Sequence, residues 1–69
     1  MKYIVVELQT DKNGSVGDIL TAYDSQSEAE SKYYAVLSTA AVSSVPEHAA
    51  VLMTSTGGVL EGKCYTHGE

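Results

Sequence analysis

The sequence contains no arginine, a single cysteine, and no long apolar run. Each absence removes a class of function. Four lysines, Lys2, Lys12, Lys32 and Lys63, are scattered against nine acidic residues, for a net charge of −5. Nucleic-acid affinity is dominated by clustered Lys and Arg on phosphates, so DNA or RNA is not an expected partner. One cysteine, Cys64, excludes an internal disulfide and points to a reducing compartment. No stretch approaches the roughly 18 apolar residues that cross a bilayer, and no signal-peptide core is visible. The expectation is a protein with no membrane partner, located in the cytoplasm. Repeats, low-complexity segments and linkers are also absent, so residues 1–69 are read as a single small domain. A chain of this size buries only about 60% of its unfolded surface, and small scaffolds usually need a disulfide, a metal or a partner subunit for more stability.

What is present is a helix flanked by strands. In the segment 25–44, SQSEAESKYYAVLSTAAVSS, Ser25 and Glu28 have the spacing of a capping box. Asp24 is an alternative cap. Glu28 and Glu30 lie where the helix dipole favours negative charge, and Glu28–Lys32 is a favourable i,i+4 pair. Ala29, Tyr33, Val36, Leu37, Ala40 and Ala41 form one apolar stripe. Pro46 disfavours a helical Val45, which places the helix end near Ser43.

Residues 2–10 read as a strand with Ile4, Val6 and Leu8 on one face and Tyr3, Val5 and Glu7 on the other. The first set is expected beneath the helix. Asn13-Gly14, within the turn cluster 11–17, predicts a hairpin to a strand at 18–23. That strand has two open registers, burying either Leu20 and Ala22 or Ile19 and Tyr23. Residues 48–55 and 59–65 read as a second hairpin around Thr56-Gly57-Gly58. Leu60, Gly62 and Cys64 share one face of its second strand; Val59, Glu61, Lys63 and Tyr65 share the other. Gly62 suggests a bulge or a close approach of the helix, and the tail 66–69 is expected to fray. The fold class is therefore α+β, in ββαββ order: a four-stranded antiparallel sheet with one helix on one face. Strand order is left open.

One helix covers one face. The second face is expected to carry Tyr3, Val5, Tyr23, Val51, Met53, Val59 and Tyr65, an apolar surface of the kind that marks an interaction site. These seven are the interface candidates, with a homodimer or another protein as partner. No cofactor and no catalytic residue is expected. Cys64 and His67 have C-x-x-H spacing with His48 on a neighbouring strand, but zinc sites take four ligands in tighter pairs, so no metal is expected. Neither does a thiol–imidazole pair alone make an enzyme, so the three are read as a buried thiol on a strand and two surface histidines. Asp11, Asn13 and Ser15 alternate like half a calcium loop without its closing glutamate and are read as a turn. Tyr34 flanks the helix stripe as a candidate contact or a ring lapping a strand edge.

The runs VVELQT, EAESKYYAVLSTAAVSSVPEHA and KCYTH, which span nearly the whole chain, resemble a group of small proteins associated with phages and prophages of gut Firmicutes. That resemblance implies a phage-associated context and carries over no activity or binding residue. It favours a structural, assembly or host-interaction role. The reading is a non-catalytic protein-binding or assembly module, homodimeric; the alternative is a small acidic inhibitor or mimic docking on a host protein.

Overall fold

The computed structural model describes residues 1–67. Its elements are β1 (Tyr3–Thr10), β2 (Val16–Tyr23), α1 (Gln26–Ala40), β3 (Glu47–Thr54) and β4 (Val59–Thr66). The strands form one antiparallel sheet in the order β2-β1-β3-β4. The two hairpins thus meet through their first strands, leaving β2 and β4 as edges, and α1 lies on one face, chiefly over β3 and β1.

The helix begins where the serine places it. Ser25 is extended, and its hydroxyl accepts from the Glu28 N–H at 3.2 Å. The same hydroxyl donates to the Glu28 carboxylate at 3.1 Å. The glutamate thus caps the cap residue's side chain, where a full capping box would use its backbone N–H. The regular helix ends at Ala40, but Val42 and Ser43 donate to Thr39 and Ala40. These i→i+3 bonds continue the coil as a tighter turn to the expected Ser43. Ala29, Tyr33, Val36 and Ala40 are buried, Leu37 packs beside them, and Ala41 is exposed.

Both hairpin turns rest on a left-handed glycine, Gly14 at φ 85° and Gly57 at φ 99°. In the first, the Asp11 carboxylate accepts from the N–H groups of Asn13 and Ser15, which occupies it with its own loop. The resulting register pairs Tyr3 with Tyr23 and Val5 with Thr21. Of the two registers left open, the one with Ile19 and Tyr23 on the helix side is realised. In the second turn, the Thr54 N–H donates to the Gly58 carbonyl, and the Thr54 hydroxyl accepts from the Gly58 N–H.

The core corrects the expected orientation of β1. Val5, 1% exposed, joins Leu52, Ala50, Tyr33, Val36 and Ala29 beneath the helix, with Tyr3 and Tyr23 packed against the cluster. Ile4, Val6 and Leu8 alternate with these residues and so face away. The cause lies across the sheet: Glu7 shares the Val5 face and finds a buried partner in His48, while the face of Ile4, Val6 and Leu8 needs none. Gly62 also departs from expectation. The irregularity in β4 lies at Leu60, where Met53 pairs with Val59 and Leu52 with Glu61. This bulge moves Val59 off the Glu61 face and puts it opposite Met53. Gly62 is on the face away from the helix. The C-terminal end is held at Thr66 and His67: His67 donates its N–H to the Pro46 carbonyl and its Nε2 lies 2.8 Å from the Ala40 carbonyl oxygen. The fraying expected of Gly68 and Glu69 lies outside the described residues.

Candidate functional site

Two places in the sheet combine unusual chemistry with unusual exposure. The first is the face opposite the helix. Register sets its composition in rows across β2, β1, β3 and β4. The first row is Ala22, Ile4, Met53 and Val59; the next is Leu20, Val6, Val51 and Gly62. The third is Asp18, Leu8, Ala49 and Cys64. Eleven of these twelve positions carry no charge, and Asp18 stands on the edge strand. None of the described residues covers them: Leu20 is 62% and Val59 66% exposed. Around this patch sit polar groups, including the exposed Lys2–Asp24 ion pair at one end and Glu47 at the other. An apolar centre with a polar margin is the anatomy of a protein interface.

The second place is a hydrogen-bonded row under the helix. His48, 2% exposed, points Nε2 at the Glu7 carboxylate, 2.6 Å away, and Nδ1 at the Ser43 hydroxyl, 2.9 Å away. A carboxylate only accepts, so Nε2 carries the proton. Gln9 donates to the same Glu7 oxygen at 3.0 Å. Burial, the largest influence on Glu7, pushes its carboxyl up; the hydrogen bonds from His48 and Gln9 and the charges of His48 and Lys32 outweigh it. The net effect holds Glu7 below its ordinary value of 4.5. A cavity of about 210 Å³ lies between Glu7, Gln9 and the exposed Ile19 of β2. A second, of about 180 Å³, opens between Glu7 and Lys32, Ala35 and Thr39 of α1. Glu7 is thus anchored from behind by an imidazole and reached from the solvent side. Ser43, His48 and Glu7 hold the row of atoms that nucleophilic catalysis uses, but the ring is buried. Its evident work is to tie the turn after α1 to β1.

No family model, curated protein or solved structure matches the chain.

The seven interface candidates divide between the two faces. Val51, Met53 and Val59 lie on the open face. Val5 is core, Tyr3 and Tyr23 pack on that core, and Tyr65, paired with the buried His48, is on the helix side. In their place the open face carries Ile4, Val6 and Leu8, expected from the sequence beneath the helix, and Leu20 and Ala22, whose register the sequence leaves open. Cys64 and the histidines are not brought together. Cys64 is exposed on the open face, His48 is buried on the other, and His67 is spent on the backbone of Ala40. Among the described residues, no group of three His, Cys, Asp or Glu side chains is placed to hold a metal. The expectation of a buried thiol and surface histidines is thus reversed for Cys64 and His48. Tyr34 is 53% exposed and reaches the edge strand, its hydroxyl donating to the Glu61 carboxylate at 3.1 Å. That hydrogen bond, with the Glu61 charge, pushes the Tyr34 hydroxyl up from its ordinary value. Among the described residues, no helix is long and apolar enough to cross a membrane.

Proposed function

We propose that this chain is a non-catalytic protein-binding module that works as a homodimer through its open sheet face. One observation carries the reading: a four-stranded sheet with apolar side chains across its uncovered side and charge confined to the margin. Four strands about 4.8 Å apart, with eight residues rising about 3.3 Å each, give a face of roughly 500 Å². Two such faces bury about 1,000 Å², the lower limit for a specific interface. A second copy suits the face because it brings an equally uncharged surface of the same outline. The edges are poorer routes to a dimer. β4 carries the bulge at Leu60 together with Lys63, and β2 carries Asp18 beside Gly17, the devices by which edge strands resist pairing.

The alternative, an acidic inhibitor or mimic, draws less support. Glu7 is committed to His48, Asp24 to Lys2, and Glu61 to Tyr34, so the acids are engaged around the molecule. A catalytic reading is weakened by the burial of His48. The resemblance to phage-associated proteins favours an assembly or host-interaction role in a bacterial cytoplasm, and the net charge of −5 favours protein over nucleic acid as partner.

Light scattering across a wide concentration range tests this. The wild-type chain is expected near twice its 7.3 kDa mass, and Val51→Lys near the single mass with an unchanged circular dichroism spectrum. A wild-type mass that stays at 7.3 kDa up to millimolar concentration overturns the homodimer.

A further inference from the structure

Gly62 stands in the middle of β4, two residues past the bulge at Leu60, at a position whose own geometry does not require glycine. Its φ is not in the left-handed region, where only Gly14 and Gly57 of the described glycines lie. A Cβ there would meet only the Ala50 carbonyl oxygen and Val51 Cγ2, both at 3.8 Å, which is ordinary contact. Glycine inside a strand weakens it and often marks a bulge or a site that a ligand or another backbone approaches closely. Across the same row, on the far edge of the open face, stands Leu20, 62% exposed.

We propose that two copies of this chain pack open face to open face about a two-fold axis parallel to the strands, each Leu20 seating over Gly62 of the other copy. The inference rests on the reading of that face as the dimer surface and specifies its geometry. A two-fold axis along the strands, between β1 and β3, lays β2 of one copy over β4 of the other and β1 over β3. Each row then meets its own reverse. Leu20 falls on Gly62, Leu8 on Ala49, and Val59 on Ala22, each a larger side chain against a smaller one, while Ile4 falls on Met53, Val6 on Val51 and Asp18 on Cys64 at the rim. Interdigitation of that kind fills the roughly 10 Å between packed sheets. A two-fold axis across the strands and through this row instead superposes each strand on itself. It then sets Leu20 against Leu20 and leaves Gly62 over Gly62, a collision at one edge and a void at the other. Aligned sheets also cross at about 30°, which displaces the edge positions by about 4 Å, within the reach of a leucine side chain. The contact is isologous, made twice by the same pair of residues, as a two-fold dimer requires.

A volume-exchange cycle read by the dimer dissociation constant tests the geometry. Gly62→Val fills the seat and is expected to weaken the dimer at least tenfold; Gly62→Ala should weaken it less. Leu20→Ala empties the seat and should also weaken it. The double variant L20A/G62V restores the combined side-chain volume and is expected to return to within about threefold of wild type. Thermal melts of Gly62→Ala and Gly62→Val at concentrations where each is monomeric should match the wild-type monomer or exceed it, since the chain itself has room there. If Val51→Lys dissociates the dimer while Gly62→Val leaves it intact, the seat is overturned and the open face stands as the dimer surface. If the double variant is as weak as the two single losses combined, the seat is likewise overturned. A wild-type chain that never exceeds the single mass overturns the dimer itself, and the seat with it.

Discussion

The two faces of the sheet are built on opposite principles, although they share every strand. The helix-covered face is mixed: Val5 and Leu52 at its centre, then a charged and hydrogen-bonded row of Glu7, Gln9, His48 and Ser43 toward one end. The open face has little but apolar side chains, and among the described residues no element lies over it. Burial is therefore a poor guide to polarity here. A polar group enters the interior when its partners come with it, and an apolar one stays outside when the fold supplies too few layers. The difference teaches that the inside of this monomer is set by satisfied hydrogen bonds as much as by hydrophobicity.

Four substitutions sharpen that contrast. The largest effect belongs to the covered face: Leu52→Ala, at 0% exposure, should cost about 3 kcal/mol in chemical denaturation. That is a large part of the margin of a small domain. Truncating Val51, its neighbour on the open side, should cost the isolated monomer well under half as much, and equal losses would break the distinction between the faces.

Next comes the polar row. Glu7→Gln keeps an acceptor for His48 but removes the charge, and should cost about 1 kcal/mol at neutral pH, the difference between a charged and a neutral hydrogen bond. The sign in pH follows from the depressed carboxyl. The stabilisation is fully present above the unfolded-state value near 4.5 and is lost as pH falls through the lower folded-state value. Wild type and Glu7→Gln should therefore converge in stability as the solution is acidified below 4.5 and through the lower folded-state value, and a gap that stays constant with pH would detach Glu7 from the row.

The smallest effect is at the helix start, which neither face shares. Ser25→Ala removes the acceptor for the Glu28 N–H and should cost about 1 kcal/mol, seen in thermal melts at neutral pH.

Much of this fold could be read from local chemistry. Ser25, Glu28 and the stripe from Ala29 to Ala40 mark the helix, and Asn13-Gly14 and Gly57-Gly58 mark the hairpins. Those signals act over a few residues, and the chain keeps them. Orientation was another matter. In β1 both alternating sets are apolar, so the period of two locates a strand without saying which side is up. The deciding fact is that Glu7 and His48, 41 residues apart, meet across β1 and β3. Nothing short-range announces that meeting. The bulge at Leu60 then inverts Val59 relative to Glu61, a shift that composition does not signal, although the neighbouring Gly62 hinted at irregularity. The interface candidates inherited both errors: Val51, Met53 and Val59 lie on the open face, while Tyr3, Val5, Tyr23 and Tyr65 belong with the helix.

The strand order also sets the route by which the chain reaches this structure. Each hairpin closes across a turn of about four or five residues and can form on its own. The seam between β1 and β3 joins residues roughly 35–50 apart in sequence. Extending a closure from about five residues to about forty is three doublings, or roughly 2 kcal/mol more of lost chain entropy. The hairpins are thus the quick events and the central seam is the slow one. Until it closes, Val6 and Val51 wait on separate hairpins, and the broad open face does not yet exist.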